Sequence, residues 1–273
     1  MKSIVIGRGD WGNLLMKYIQ QDSNFEIIDV FGKDFSFAKI PQGAQVAFVV
    51  TPLISHFNIA YECLRAGLNV FVEKPTCESV EEFNILKDVA QSSGVRFYTD
   101  YIYLTSPSIL KIQEILCQLN GILSVKASIK QYGKFYEGES ALDVLGVHFL
   151  SVFCFLFGTP SLAESHNTNP NANRFVFDIN GITTELECSL ISEIKERKLE
   201  IIAESGKILF DMLSNESLQI LIGDKQEIFS FDEKNNIANS LRKFYAILND
   251  EAKYLEHCNL SYEVAKTMDM CKQ

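Results

Sequence analysis

The chain has 273 residues, 47% of them hydrophobic, with 25 basic against 35 acidic side chains and a formal net charge of −10. This composition excludes a long disordered chain and is typical of a soluble globular protein with one large or two modest domains. It also argues against a broad phosphate-binding surface, because nucleic-acid binding depends on clustered Lys and Arg. We therefore expect a small-molecule partner and no nucleic acid.

The cysteines and the N-terminus bear on the cellular compartment. Seven cysteines show no C-x-x-C pair and no regular spacing, so neither a disulfide framework nor a metal site is predicted. The first residues lack the apolar region and cleavage site of a secretory signal, and a reducing cytoplasm fits both observations. The most apolar stretch, Val144 to Phe157, is shorter than the roughly 20 residues that span a bilayer. We expect it to form a buried helix, without membrane contact.

The first hundred residues alternate short apolar runs with segments of helical length. This alternation is the pattern of a doubly wound parallel sheet. It predicts an N-terminal α/β domain of the Rossmann type over residues 1–120. Strands are expected at 3–7, 25–31, 45–51, 69–73 and 95–101, and helices at 11–21, 55–66, 79–93 and 106–119.

Beyond residue 120 the pattern changes to β-rich segments separated by turns, with one apolar helix among them. Such a series predicts a C-terminal α+β domain over residues 121–273 with a mostly antiparallel open sheet. Helices are expected near 239–256 and 261–270. The polar segment 166–173, HNTNPNAN, is expected to be an exposed loop.

A glycine-rich turn follows the first predicted strand, where Gly7, Gly9 and Gly12 fit the pattern G-x-G-x-x-G. The first glycine permits a tight turn, the second lets the backbone approach a pyrophosphate, and the third lets helix and strand pack closely. The following helix offers free N–H groups and a positive dipole end to phosphates. The pattern predicts a dinucleotide cofactor.

The end of the second strand bears on the choice between NAD and NADP. A fold that prefers NAD usually carries an acid there, but this chain has Gly32, followed by Lys33 and Asp34. Lys33 in the absence of the acid favours NADP, whereas Asp34 could reach the ribose after a small loop shift. The sequence leaves both cofactors open.

Glu73, Lys74 and Pro75 follow the fourth strand, at the edge where open α/β sheets bind their ligands. A lysine there can transfer a proton if burial and a nearby cation lower its pKa. Pro75 stiffens the turn beyond it. Taken alone, a pair such as Glu73–Lys74 is more often a solvated pair of charges.

Together, GRGDWG at 7–12, Thr51-Pro52 with His56, VEKP at 72–75 and GVH at 146–148 resemble the Gfo/Idh/MocA family of NAD(P)-dependent oxidoreductases. The resemblance covers nearly the whole chain. It implies hydride transfer between the nicotinamide and an alcohol or ketone carbon of a sugar or nucleotide sugar. Family members are usually longer and commonly dimers or tetramers, which implies an open or subunit-completed sugar site and a homo-oligomer formed through the C-terminal sheet.

The resemblance also implies roles for individual residues. Lys74 and His148 would transfer protons, and Glu73 would stand beside the nicotinamide ribose. Further contacts with the cofactor would come from the glycine turn and from the turn after the third strand, through Asp10, Trp11, Thr51, Pro52 and His56.

Asp143 departs from the family pattern. The family commonly has an Asp four residues before this histidine, whereas Asp143 stands five residues before His148. On a regular helix five residues correspond to about 140° of rotation, so Asp143 would point away. If the helix begins only after Asp143, an N-cap geometry would bring the carboxylate back. Asp143 is therefore a candidate catalytic residue whose geometry the sequence leaves open.

Other interpretations remain. A non-catalytic sensor that binds a dinucleotide or a sugar would account for the displaced Asp143, and an imine or double-bond reductase would need the acid–base pair less. Tyr101 and Tyr103 could line the sugar site or pack in the core. Nucleophilic catalysis has no supporting motif.

Overall fold

The computed structural model describes residues 1–272, and at Thr168 it describes the backbone alone. These residues form two compact units, Met1–Tyr101 with Ile237–Lys266, and Ile102–Asn236 with the segment from Thr267 onward. Each unit has its own sheet and its own buried core. Within the described residues, no helix combines the length and apolar character needed to cross a bilayer.

The first unit contains a five-stranded parallel sheet. Its elements are β1 (Lys2–Ile6), α1 (Asp10–Ile19), β2 (Glu26–Phe31), β3 (Val46–Val49), α2 (His56–Arg65), β4 (Asn69–Glu73), α3 (Val80–Ser93) and β5 (Phe97–Asp100). The strand order is β2-β1-β3-β4-β5, so β1 and β3 occupy the middle of the sheet. All four residues of β3 are buried, as expected where helices cover both faces of a parallel sheet.

The second unit contains an eight-stranded sheet that is antiparallel except where β6 and β9 run parallel. Its elements are α4 (Pro107–Ile115), β6 (Ile122–Tyr132), α5 (Val147–Phe157), β7 (Ser161–Asn169), β8 (Ala172–Ile179), β9 (Ile182–Ser189), β10 (Ile191–Ala203), β11 (Gly206–Asp211), β12 (Leu218–Ile222) and β13 (Lys225–Phe229). The predicted fold class is confirmed in both parts, and the apolar stretch does form a buried helix.

The predicted loop at 166–173 is wrong, because most of it belongs to strands. β7 and β8 form a hairpin in which His166 pairs with Arg174, and the turn lies at Pro170 and Asn171. β7 is an edge strand of the eight-stranded sheet. An edge strand with polar residues lacks the alternating apolar pattern by which strands are recognised in a sequence, so pairing with β8 decides its conformation.

One face of the eight-stranded sheet carries a ladder of ion pairs. Lys130 on β6 lies 2.6 Å from Glu187 on β9 and 3.7 Å from Glu196 on β10. Farther along the same sheet, Arg174 pairs with Glu185 at 2.9 Å. These paired basic and acidic side chains give this face a polar character, while the opposite side chains of the same strands form the buried core.

The C-terminal helices α6 (Asn236–Asn249) and α7 (Glu251–Lys272) change the predicted division of the chain. Residues 237–266 belong to the first unit and residues 102–120 to the second, so the division differs from the expected boundary near residue 120. The reason is the packing of α6, because the Phe244 ring lies 5.5 to 5.8 Å from the rings of Phe48, Phe71 and Tyr98. No local pattern tells which sheet a late helix covers.

Candidate functional site

The glycine turn between β1 and α1 shows three different steric situations. A Cβ at Gly7 would lie 2.2 Å from the Val50 carbonyl oxygen, and Gly7 has a φ of +129°. A Cβ at Gly12 would lie 2.3 Å from the Gly7 carbonyl oxygen, whereas Gly9 has no atom within 4 Å of the equivalent point. Gly7 and Gly12 are therefore required by the fold itself, while Gly9 faces open space where another molecule can approach the backbone.

The start of α1 adds electrostatic character to this turn. Gly9 is the N-cap residue, with Asp10 in the first turn of the helix. The N-terminus of a helix offers N–H groups and a partial positive charge to an anion. Trp11 donates its indole N–H to the Glu73 carboxylate, and this contact joins the glycine turn to the end of β4.

At the end of β2, Gly32 and its neighbours lie beside Arg8 from the glycine turn. A Cβ at Gly32 would lie 3.4 Å from Arg8 Cδ, and Arg8 donates to the Val30 carbonyl. Asp34 accepts the Gly32 N–H at 3.0 Å, and this hydrogen bond is the first of several effects that lower the Asp34 pKa. Lys33 is exposed. Arg8 was not a sequence-derived candidate, since its partners are set by the course of β2.

His56 links the turn after β3 to the turn after β4. Its Nδ1 lies 2.7 Å from the Pro75 carbonyl oxygen and its Nε2 lies 2.7 Å from the Thr51 carbonyl oxygen. The ring is 2% exposed, and burial lowers its pKa. Thr51 also accepts the Ser55 hydroxyl at 2.8 Å, and Pro52 is exposed. His56 thus has a positioning role in the structure as well as the predicted place beside a cofactor.

The Glu73-Lys74-Pro75 segment stands at the C-terminal end of β4. Glu73 and Lys74 are half-buried and Pro75 is buried, with a cis peptide bond between Lys74 and Pro75. The backbone N–H of Lys74 donates to the Glu73 carboxylate at 3.2 Å. Just beyond, the hydroxyl oxygens of Thr76 and Thr99 lie 2.5 Å apart, which ties this segment to β5.

Asp100, the last residue of β5, is a buried acid that the sequence analysis missed. It is 1% exposed, and its Oδ1 accepts the Ser240 hydroxyl from α6 at 2.5 Å. β4 and β5 pair in a register that sets Asp100 beside Glu73. The sequence could have indicated this acid, because two strands that are adjacent in the sheet end in Glu73 and Asp100. It could not have identified Ser240 as the hydrogen-bond partner.

In the second unit, His148 lies on α5, half-buried against Tyr103. The two rings stack with centroids 4.5 Å apart and 16° between their planes. Tyr103 is 5% exposed, and burial raises its pKa well above the usual value. In the first unit, Tyr101 is also buried, with its ring 6.3 Å from that of His257. Both tyrosines are core residues of their own units, and Tyr103 fixes the plane of the His148 imidazole.

Asp143 lies neither on a regular α-helix nor just before one. Residues Leu142–Gly146 form a π-turn that leads into α5. A π-turn closes its hydrogen bonds over five residues, so positions five apart, such as Asp143 and His148, stand roughly one turn apart. The rotation of about 140° holds only for regular α-helical geometry, which this segment does not have. The π-turn accommodates the additional residue in the spacing.

The Asp143 carboxylate also has structural partners. Its Oδ2 accepts the Ser140 N–H at 3.0 Å and the Ser140 hydroxyl at 2.7 Å, while the Asp143 N–H donates to Ser140 Oγ at 3.3 Å. This reciprocal arrangement is a capping box, which the S-x-x-D spacing could have indicated. Lys272 adds an ion pair at 2.9 Å.

The edge of the five-stranded sheet therefore combines features of a binding site with features of proton chemistry. Gly9 and the start of α1 can receive an anionic group. A half-buried lysine and two acids, Glu73 and Asp100, stand at the ends of neighbouring strands. Among the described residues, no group of His, Cys, Asp or Glu is placed to hold a metal ion.

Comparison with known proteins agrees with this description. Residues 34–101 match the family model of Gfo/Idh/MocA, described as an oxidoreductase family with an NAD-binding Rossmann fold. The predicted resemblance to this family is thus confirmed over the part of the first unit that runs from just after β2 to Tyr101.

Individual relatives are similar over longer stretches. Glucose-6-phosphate 3-dehydrogenase from Bacillus subtilis is 29% identical over 170 residues, which cover 56% of this chain and 49% of that protein. The chain thus spans about half the length of this curated relative.

Two solved structures share the fold. KijD10, a 3-ketoreductase from Actinomadura kijaniata solved with TDP-benzene and NADP, has a TM-score of 0.89 at 17% identity and covers 100% of this chain and 97% of its own. UDP-N-acetylglucosamine 3-dehydrogenase GnnA from Acidithiobacillus ferrooxidans has a TM-score of 0.86 at 18% identity, with 99% and 96% covered.

Proposed function

We propose that the chain is an NAD(P)-dependent oxidoreductase that transfers a hydride between the nicotinamide and an alcohol or ketone carbon of a sugar or nucleotide sugar. One observation carries the proposal. A glycine turn open at Gly9 and a half-buried lysine, Lys74, share the C-terminal edge of one parallel sheet, which is where such sheets bind their ligands. The names of the relatives support a sugar substrate.

The glycine turn fits a dinucleotide on steric grounds. Gly9 leaves a space that a Cβ would fill, and its φ of −73° with ψ of 179° turns the chain into α1. The turn and the first N–H groups of α1 would hold the pyrophosphate, with Asp10 and Trp11 beside it. When bound, the nicotinamide gives or accepts the hydride.

The protein's own contribution is orientation and proton transfer. The Lys74 amine would take the proton of the substrate hydroxyl during oxidation and return it during reduction. The Glu73 carboxylate accepts the indole N–H of Trp11 and the backbone N–H of Lys74. Held in this way, it would bind the nicotinamide ribose. His148 is the second proposed proton-transfer residue, with its ring held by Tyr103. Asp143, one π-turn before it, is proposed to support that histidine.

Replacing the lysine tests the proposal. In Lys74→Ala we expect kcat to fall by about 100-fold or more, the usual contribution of a general acid–base group, with the dinucleotide Kd within about two-fold of wild type. Lys17→Ala, at the exposed end of α1, is the matched control and should retain wild-type kinetics. Wild-type turnover in Lys74→Ala, on whichever sugar or nucleotide sugar proves to be a substrate, contradicts the assignment.

A second candidate function is a non-catalytic sensor on the same fold. The observation that favours it is the engagement of the Asp143 carboxylate in a capping box and an ion pair. A sensor would bind NAD or NADP, detected as thermal stabilisation of about 2.7 kcal/mol at 100 times the Kd. It would show no hydride exchange across a panel of sugar phosphates and nucleotide sugars, whereas the enzyme would.

We also propose a homo-oligomer that uses the eight-stranded sheet. The ladder formed by Lys130 with Glu187 and Glu196 gives this face alternating charges, which a second copy can match electrostatically. Salt weakens exposed ion pairs. Sedimentation at low and high ionic strength should therefore show dissociation with added salt, and a mass independent of salt contradicts this mode of association.

A further inference from the structure

Half-buried Glu73 and buried Asp100 are adjacent at one edge of the first-unit sheet. The register of β4 and β5 sets the two residues side by side. Neighbouring strands lie about 4.8 Å apart, and paired residues of parallel strands point to the same face. Two carboxyl groups thus occupy the end of the sheet next to Lys74, where water has little access to Asp100.

The hydrogen bonds of Asp100 leave one of its carboxyl oxygens without a donor among the described residues. Oδ1 accepts the Ser240 hydroxyl at 2.5 Å, and this hydroxyl also lies 2.9 Å from the Tyr98 hydroxyl. Oδ2 is buried and receives no N–H or hydroxyl donor from any described residue, and the carboxyl group with which Asp100 can hydrogen-bond is that of Glu73. Two carboxylates repel each other, whereas a carboxyl group that carries a proton is a donor. A proton between the acids is the arrangement that satisfies Oδ2.

The charges around the acids agree with a single negative charge on the pair. Lys74 and Lys243 are the cations that face Asp100. Lys243, on α6, is influenced more by Glu256 than by Asp100, which leaves Lys74 as the main counter-charge of the pair. His257, on α7, is buried and accepts the Thr99 N–H through Nε2 at 3.0 Å, so it contributes no charge.

The titration of both acids is shifted in the direction that a shared proton requires. Burial, followed by the charge of Asp100, raises the pKa of Glu73 to about 8. Burial also raises the pKa of Asp100 to about 6. Two acids at this separation titrate as a pair in two steps.

We propose that Glu73 and Asp100 share one proton, and that Asp100 acts through Glu73 as a positioning residue for Lys74. The pair then presents one negative charge to the amine of Lys74 instead of two. A second negative charge would hold the ammonium proton too tightly for transfer, and no charge would leave a half-buried ammonium without compensation. The part that concerns Lys74 rests on the proposed function, but the shared proton does not.

Carbon NMR of the carboxyl groups tests the shared proton without any turnover. In wild type, the Glu73 carboxyl carbon should titrate at least one pH unit above an exposed glutamate. Asp100→Asn keeps the shape and places an amide N–H where the shared proton would lie, so the Glu73 titration should move down by at least one unit. Asp88→Asn, exposed on α3, is the control and should leave it unchanged. A Glu73 titration in the ordinary range in wild type overturns the proposal, whether or not Asp100→Asn folds.

The pH profile of kcat/KM tests the effect on Lys74 once a substrate is found. In Asp100→Asn the limb that reports the acid pair should move to lower pH with the Glu73 titration, with KM for the dinucleotide within about two-fold of wild type. The hydrogen bond from Ser240 to Oδ1 lowers the pKa of Asp100. Ser240→Ala removes this donor, so the pKa should rise and the limb should move to higher pH. Profiles that superimpose on wild type in both variants overturn the positioning role. Lack of turnover in wild type contradicts the proposed function, while the NMR titration still decides the shared proton.

Discussion

His56 Nδ1 lies 2.7 Å from the carbonyl oxygen of Pro75, and the opposite ring nitrogen lies 2.7 Å from the carbonyl oxygen of Thr51. A single buried side chain therefore holds the turn after β3 and the turn after β4 at a fixed spacing. Lys74 precedes Pro75, so the position of the proposed proton-transfer group depends on a residue that the family resemblance assigns to the border of the cofactor site.

Removing this link should affect both stability and catalysis. A neutral imidazole donates through one ring nitrogen, so His56→Ala leaves one of the two carbonyl groups without its donor, and we expect the free energy of unfolding to fall by about 1–3 kcal/mol. The kcat should decrease more than the dinucleotide affinity, because the lysine segment moves while the glycine turn does not. His166→Ala, at an exposed position on β7, is the control. Urea unfolding and steady-state kinetics measure the two effects, and unchanged stability in His56→Ala contradicts the bridging role.

The pKa of Glu73 predicts how stability depends on pH. Folding raises this pKa from 4.5 to about 8, so between these values the folded protein binds more protons than the unfolded chain. The free energy of unfolding must then fall as the pH rises. The buried His56 and His257 act in the opposite sense, because their lowered pKa values make stability fall as the pH drops below about 6.5.

We therefore expect maximal stability near pH ~6 and a decline toward pH ~8. Glu73→Gln removes the acid and should flatten the decline between about pH 6.5 and 8. Glu81→Gln, exposed in the first turn of α3, should keep the wild-type profile. Chemical unfolding at a series of pH values gives the measurement, and a decline that persists in Glu73→Gln assigns it to another group.

Gly9 and Gly12 should respond oppositely to substitution by alanine. A Cβ at Gly12 collides with the Gly7 carbonyl, so Gly12→Ala should lower the free energy of unfolding by about 1–3 kcal/mol. Gly9 has ordinary φ and open space, so Gly9→Ala should leave stability unchanged and weaken dinucleotide binding at least ten-fold. Unfolding and calorimetric titration separate the two. Full affinity in Gly9→Ala contradicts the assignment of this turn to the pyrophosphate.

The contact of Arg8 with Gly32 predicts a preference for NADP. Arg8 is the nearest side chain to the position where an acid would contact a ribose hydroxyl, and exposed Lys33 adds a second positive charge. Arg8→Ala should weaken NADP at least ten-fold and NAD less than two-fold. The matched variant Arg65→Ala, exposed at the end of α2, should change neither. Tighter binding of NAD than of NADP by wild type would assign the ribose contact to Asp34 instead.

Asp143 and Lys272 should be energetically coupled. The Asp143 side chain is 5% exposed and pairs with Lys272 at 2.9 Å, and contacting charges of this kind couple by about 0.5–3 kcal/mol. A double-mutant cycle with Asp143→Asn and Lys272→Met measures the coupling. The pH profile of kcat in Asp143→Asn shows whether the carboxylate also supports His148, because a purely structural capping box would leave that profile unchanged.

The sequence by itself determined the features that follow from short-range rules. Alternating apolar runs gave the parallel sheet, the spacing of three glycines gave the turn, and the position of Lys74 at a strand end gave the edge where chemistry is expected. Each of these depends on residues within about one structural element of each other, so steric and hydrophobic periodicity suffices to identify them.

The tertiary structure decided the features that depend on distant partners. Ser240 reaches Asp100 across 140 residues of sequence, Phe244 brings α6 to the first-unit sheet, and pairing with β8 turns a polar segment into strand β7. The π-turn at Asp143 likewise lies between the S-x-x-D cap and α5, where Gly146 is close to Leu186 and Cys188 of β9. In each case tertiary packing favours one of several conformations that are locally acceptable, so the local sequence alone does not predict which one forms.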